Sequence, residues 1–218
     1  MGKFIVIEGL DGSGKTTQTA LLSEYLGKNG KVRELSFPRY GEKSCALVSM
    51  YLSGELGDDP DSTNGYAASS FFAADRYISF VSDWKADYDD PDCTVVATRY
   101  TTSNAYHQLS KLPEDEWDSF LDWIFDFEFS KLGLPCPDSV VLLSMNPALS
   151  LSNVKSRSDA TGQEMDIHEK DTEYLSRCYK AAGYAAKKCG WHVIECAPEG
   201  LLLPREEIFE KIKKVLDI

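Results

Sequence analysis

The run Gly9-Leu10-Asp11-Gly12-Ser13-Gly14-Lys15-Thr16 has the residue types and spacing of a phosphate-binding loop. Its glycines let the backbone curl until successive N–H groups converge on a phosphate. Lys15 can reach the β- and γ-oxygens of a nucleoside triphosphate, and the Thr16 hydroxyl offers a hard oxygen to Mg²⁺. Thr17 follows in the same turn. A helix opening after the loop adds the positive end of its dipole. Other chemistries find no such pattern. Cys45, Cys93, Cys136, Cys178, Cys189 and Cys196 form no C-x-x-C pair, and His107, His168 and His192 are dispersed, so neither a zinc site nor a disulfide framework is expected.

The loop needs a strand before it and a helix after it, and the chain supplies both. Phe4-Ile5-Val6-Ile7 reads as a buried strand, and Leu21, Leu22, Tyr25 and Leu26 recur at helical spacing ahead of Gly27 and Gly30. Further strands are predicted at Val32–Phe37, Thr94–Ala97, Ser139–Leu143 and Trp191–Cys196, with helical patterns between them. This βαβ rhythm predicts an α/β fold, a doubly wound parallel sheet of about five strands with helices on both faces, of the P-loop NTP hydrolase type. The ligand crevice then lies at the carboxyl ends of the strands, where Pro38, Arg39, Arg99 and Tyr100 fall.

Two helices carry more than packing residues. Gly65–Lys85 holds Phe72 and Arg76 four apart, on one face; an arginine beside a core aromatic needs an anionic or hydrogen-bonding partner. Glu114–Ser130 bears Trp117, Phe120, Leu121, Ile124 and Phe125, a broad apolar set for the core or for a subunit interface. The polar, glycine-bearing stretch 150–166 holds Lys155 and Arg157 and reads as a solvated loop or as a mobile lid over phosphates. Helices are expected at Asp171–Lys188, ended by Gly190, and at Pro204–Leu216.

The 218 residues, 43% hydrophobic, suit one domain with no linker-like tract. A formal net charge of −12 disfavours a general nucleic-acid surface. No apolar stretch reaches the length of a membrane span, the N-terminal run is too short for a signal peptide, and the cysteines suit a reducing compartment. A cytoplasmic protein without membrane or nucleic-acid partners is expected.

A P-loop settles the donor class but not the reaction. No Asn-Lys-x-Asp guanine motif is present, and the chain is short for a motor ATPase. A nucleotide kinase needs a second anionic pocket, and Arg39, Arg76 and Arg99 stand where one would form.

At this point the chain resembles the thymidylate kinases. The resemblance rests on the loop from Glu8 to Gln18, on Phe37-Pro38-Arg39-Tyr40, on Phe71-Phe72-Ala73-Ala74-Asp75-Arg76, and on Arg99-Tyr100-Thr101-Thr102-Ser103-Asn104-Ala105. It continues through Lys131-Leu132-Gly133-Leu134-Pro135 and Asp166-Ile167-His168-Glu169. The resemblance implies transfer of the ATP γ-phosphoryl group to dTMP with Mg²⁺, in a homodimer. It implies that Lys15 and the loop hold the ATP phosphates and Thr16 the metal, that Asp11 faces the acceptor sugar and helps order the metal region as a catalytic residue, and that Glu169 belongs to the metal shell. Arg39 and Arg99 would grip the acceptor phosphate, Phe72 would stack on the pyrimidine, Arg76 would donate to its O4 and Asn104 would bond its N3 edge. Phe37, Tyr40 and Asp166 would shape the acceptor pocket.

Position 12 is Gly rather than a basic residue, so the resemblance assigns the transition-state cation to Lys155 and Arg157, the bacterial arrangement. Thr98 stands where many relatives have an aspartate tied to the metal, and His107 where they often have a tyrosine that disfavours a 2′-hydroxyl. Two alternatives therefore stay open: a kinase for dUMP, UMP or CMP, and a nucleotide-binding homologue without catalysis.

Overall fold

The computed structural model describes residues 2–161 and 166–218, leaving aside the side chains of Arg157, Ala160, Thr161 and Lys170. The apolar runs become β1 (Phe4–Gly9), β2 (Lys31–Ser36), β3 (Cys93–Thr98), β4 (Ser139–Ser144) and β5 (His192–Glu195). They pair in the order β2-β3-β1-β4-β5, all parallel. Phe37 and Cys196 fall just outside the strands, yet each extends its ladder, Phe37 N donating to Thr98 O at 3.0 Å and Cys196 N to Ser144 O at 2.9 Å.

Alternation along the central strands explains the three layers. Ile5, Ile7, Val96, Val141 and Leu143 point to one face, under Leu22 of α1 (Lys15–Gly27) and Ile208, Ile212 and Leu216 of the C-terminal helix. Phe4, Val6, Val95, Ala97 and Val140 point to the other face, against Phe80, Trp84 and Leu134. Each such side chain contributes about 1.5–3 kcal/mol by leaving water.

After α2 (Ala46–Leu52) comes α3 (Gly65–Ser79), started by the Asn64 side chain accepting from Ala67 N at 2.9 Å. A π-turn at Phe80–Trp84 carries α3 on into α4 (Lys85–Asp89), so the predicted helix from Gly65 runs slightly further than expected. α5 (Thr101–His107) and α6 (Trp117–Phe125) follow, and a second π-turn spans Asp126–Lys131. Trp117, Phe120, Leu121 and Ile124 are all buried against α5 and α9, so the broad apolar set of this helix serves the core.

The stretch read as a loop at 150–166 is corrected here. Residues 147–161 form α7 (Pro147–Thr161), because Asn146 accepts from Ala148 N at 2.9 Å, Pro147 suits a first helical turn, and Val154 is buried. α8 (Ile167–Lys170) opens with a capping box between Asp166 and Glu169. α9 (Thr172–Cys189) stops at Gly190 in the left-handed region, φ 69°, and α10 (Arg205–Leu216) ends the chain. All six cysteines are free.

Candidate active site

A cavity of about 750 Å³ opens at the carboxyl ends of β1 and β3. Asp11, Gly12, Gly14, Lys15, Thr16 and Thr17 line its donor end. Phe37, Tyr40, Phe72, Arg76, Asn104 and His107 line the far end, with Arg99, Asp166 and Glu169 between. The sequence-predicted residues thus converge, with exceptions. Gly9, Leu10 and Ser13 lie behind the lining: Ser13 N donates to Leu10 O at 3.2 Å and closes the turn, while Gly9 O accepts from the Tyr106 hydroxyl at 3.1 Å. Arg39 turns away, its guanidinium held on Asp83 at 2.8 Å, and that carboxylate also takes Arg33 at 2.6 Å. Lys155 is exposed on α7 outside the lining, and the Arg157 side chain lies outside the described residues.

Lys15 is buried at the head of α1, its Nζ donating to Leu10 O at 2.9 Å and lying 3.4 Å from Asp11 Oδ1. Burial, and then the charge of Arg99, pull its pKa down to about 8. Asp11 also accepts from Arg99 Nη2 at 2.6 Å. Burial alone would raise the Asp11 pKa, but Arg99 and then Lys15 overcome it and hold the carboxyl well below the ordinary range.

Arg99 takes a left-handed backbone, φ 64°, strained for a non-glycine residue. What holds it there is Glu8, wholly buried at the end of β1. The Glu8 carboxylate accepts from Tyr100 N at 3.0 Å, Thr102 Oγ1 at 2.6 Å, Ser103 Oγ at 2.8 Å and Tyr106 OH at 2.9 Å. Sequence reasoning did not assign Glu8 this role, although a charge inside an apolar strand run demands buried donors. Arg99 Nη1 donates to His107 Nε2 at 3.1 Å, so the His107 proton sits on Nδ1, facing Cys178 Sγ at 3.5 Å.

Arg76 is 2% exposed and pairs through Nε and Nη2, both at 2.6 Å, with Glu128. Phe72 is half-buried, its ring edge-on to Tyr51 at 6.1 Å, and Tyr40 stands exposed at the rim. Thr98 donates to Thr19 Oγ1 at 2.8 Å, so its hydroxyl joins β3 to α1. Glu169 Oε2 accepts from Asp166 N at 3.3 Å within the capping box.

Among the described residues no group of three or more His, Cys, Asp or Glu is placed to hold a metal ion. The oxygens of Thr16 and Asp11 at the cavity wall nevertheless fit Mg²⁺, which binds through few protein ligands and keeps water and substrate phosphates.

The start of α7 grips the loop from outside. Ser150 Oγ donates to Asp11 O at 2.5 Å and Asn153 Nδ2 to Gly12 O at 2.9 Å. Gly12 has φ 80°, and a Cβ there would stand 2.3 Å from Ser150 O. Gly12→Ala is therefore expected to cost about 2 kcal/mol, a Tm drop of about 6 °C. Calorimetric unfolding checks this; an unchanged Tm would mean that α7 yields freely.

Two buried histidines make stability pH-dependent. Burial, then Arg99, holds His107 well below its ordinary pKa; burial, then Lys111, takes His168 down to about 3. The unfolded chain protonates both near pH 6.5, so it binds more protons than the folded chain and stability falls as pH falls below about 6.5. Asp166 opposes this. Burial and the Asp11 charge raise its pKa to about 6, so the folded chain gains one proton between about 6 and 4. Urea unfolding is expected to lose about 1.4 kcal/mol per pH unit from about 6.5 down to about 4.5, the net of two imidazole protons gained by the unfolded chain and one Asp166 proton gained by the folded chain. A stability that rises on acidification through this window would contradict the neutral buried imidazoles.

Comparison with known proteins follows from this geometry. The thymidylate kinase family profile matches residues 7–208. A thymidylate kinase of Mycobacterium tuberculosis is 35% identical over 178 residues, covering 79% of this chain and 80% of that protein. The chain belongs to the thymidylate kinase family. Another thymidylate kinase, from Caldicellulosiruptor saccharolyticus, is 28% identical over 221 residues, covering 99% of this chain and 96% of its own. A solved thymidylate kinase of Candida albicans shares the fold with a TM-score of 0.68 at 18% identity, covering 99% and 91% of the two chains. The family is one of nucleoside monophosphate kinases, phosphotransferases with a donor and an acceptor nucleotide. In this chain Asp11 and Arg99, paired at 2.6 Å, line the same cavity as the loop residues Lys15 and Thr16 and as Phe72, Arg76 and Asn104.

Proposed function

We propose that the chain transfers the γ-phosphoryl group of ATP to dTMP in the presence of Mg²⁺, giving dTDP. The observation that carries this reading is one cavity with a phosphate loop at one end, an aromatic, an arginine and an asparagine at the other, and Arg99 between them.

Phosphoryl transfer leaves a protein little covalent work, so placement and charge do the catalysis. Lys15 and the loop N–H groups hold the donor phosphates. Arg99, fixed from behind by Glu8, presents its guanidinium to the acceptor phosphate, exchanging part of its contact with Asp11 for phosphate oxygens. Arg39 joins it only by leaving Asp83. Phe72 stacks on the base, Arg76 and Asn104 meet its polar edge, and Phe37, Tyr40, His107 and Asp166 enclose the nucleoside. Thr16, with Asp11 and Glu169 nearby, would hold Mg²⁺, which would supply neutralisation of the phosphate charge during transfer.

Lys155 and Arg157 on α7 supply the further cation that Gly12 does not. Arg157→Ala is expected to lower kcat about 10²-fold with little change in dTMP affinity; an unchanged kcat removes Arg157 from the mechanism.

We also read the chain as a single kinase domain, as cytoplasmic, and as a homodimer. No helix among the described residues is long and apolar enough to cross a membrane. Tyr77, Ile78 and Val81 on the outer side of α3 and its π-turn, with Leu47 and Met50 of α2, are exposed apolar side chains that suit a partner copy. Sedimentation equilibrium tests the dimer.

The decisive experiment incubates the pure protein with ATP, Mg²⁺ and each of dTMP, dUMP, UMP and CMP. Highest turnover of dTMP is expected. Faster turnover of another pyrimidine monophosphate makes the chain a kinase for that substrate, and calorimetric binding without transfer makes it a non-catalytic homologue.

A further inference from the structure

Glu128 lies in the π-turn after α6, wholly buried, and its two carboxylate oxygens bind Arg76 and Asn104, which line the cavity, together with Thr101. Oε2 accepts from Arg76 Nε at 2.6 Å and from Thr101 Oγ1 at 2.8 Å. Oε1 accepts from Arg76 Nη2 at 2.6 Å and from Asn104 Nδ2 at 3.3 Å. Asn104 Nδ2 also lies 3.3 Å from the Ser69 carbonyl oxygen.

The orientation of the Asn104 amide is thereby decided. Both neighbours of its nitrogen, a carboxylate and a backbone carbonyl, are acceptors, and turning the amide over would set its oxygen against them. The NH₂ group must face Glu128 and Ser69, which leaves the carbonyl oxygen for the cavity that Asn104 lines. Arg76 is held by the same carboxylate in a two-pronged grip, so its remaining N–H groups keep a fixed direction.

We propose that Glu128 is a positioning residue which sets Asn104 to accept and Arg76 to donate, so that the cavity selects pyrimidines bearing an N3–H and a 4-oxo group. The proposal rests on the dTMP reading and deepens it. Thymine offers N3–H as a donor and O4 as an acceptor, which matches on both counts. Cytosine offers N3 as an acceptor and a 4-amino donor, which mismatches on both, and buried mismatched groups are rejected strongly.

The test is Glu128→Gln. A glutamine keeps the volume but replaces one acceptor oxygen by NH₂; with its oxygen kept for Arg76 Nε and Thr101, the NH₂ takes the Oε1 place, facing Asn104 Nδ2 and displacing Arg76 Nη2. The Asn104 amide then turns over and presents its NH₂ to the cavity. The ratio of kcat/KM for dCMP over dTMP is expected to rise at least about 30-fold, mainly through a higher KM for dTMP. An equal loss on both substrates, with the ratio unchanged, is what a merely structural role would give and overturns the proposal.

A second measurement needs no variant. Calorimetry on the wild-type chain with dTMP, dCMP and N3-methylated dTMP is expected to show the latter two binding at least about 30-fold more weakly. Equal binding of all three overturns the assigned amide orientation, even if Glu128→Gln fails to fold. Failure of the broader reading looks different: the wild-type chain would then turn over no dTMP in the monophosphate panel.

Discussion

Arg99→Ala is expected to lower kcat/KM for dTMP at least about 10³-fold while ATP affinity changes by less than about threefold. In the proposed mechanism Arg99 stands between the two nucleotides; it lies 2.6 Å from Asp11 of the loop and 3.1 Å from His107. Its loss removes the charge that meets the acceptor phosphate and the alignment that comes with it. Lys15 stays beside Asp11 at 3.4 Å, so the donor loop keeps its own counter-ion. Arg99→Lys is expected to recover little, because a point charge on a flexible stem cannot reproduce a planar fork that spans Asp11, Tyr106 and His107. Steady-state kinetics with each substrate varied in turn check this. A loss below tenfold in kcat/KM would remove Arg99 from the acceptor site.

Glu8→Ala should be the most damaging single change to the fold near the site. It leaves the Tyr100 N–H and the hydroxyls of Thr102 and Ser103 without their common acceptor in a dry interior, while Tyr106 keeps only Gly9 O at 3.1 Å. Each stranded donor costs about 1–3 kcal/mol, and with partial relaxation the sum is about 4 kcal/mol, a Tm drop of about 12 °C. The strained turn at Arg99 loses its support at the same time, so activity should fall even below the melting range. Glu8→Gln should do less harm, since it keeps the size and one acceptor. Thermal unfolding of the two variants beside the wild type is the check, and a Glu8→Ala Tm within 3 °C of wild type would refute the anchoring role.

What was legible in the sequence was whatever has a local cause. A strand-loop-helix around Gly9–Thr16 follows from glycine placement and apolar period, and the order of the motifs pointed to the family. Gly190 ended α9 as its type predicts. Within 150–161 the loop reading failed because polar composition hid a helix whose cap, Asn146, and first residue, Pro147, lie just before it. Arg76 could be seen to need a partner, yet nothing local named Glu128, 52 positions away and delivered by a π-turn that no periodicity marks. Glu8 was visible as a charge in an apolar strand but its four donors come from a segment more than 90 positions later. Arg39 was placed by motif at the acceptor phosphate, whereas Asp83, which also pairs with Arg33, holds its guanidinium away from the cavity.

The grip of Ser150 and Asn153 on the donor loop makes α7 a lever with its pivot near one end. A helix advances 1.5 Å per residue, so Arg157 stands about 6 Å and Thr161 about 12 Å beyond the pin at Asn153. A tilt that hardly moves Asn153 sweeps the far end through a much longer arc. In such a tilt the loop would keep its shape while the far end of α7 moved, by an amount set by how close to the loop the pin stands.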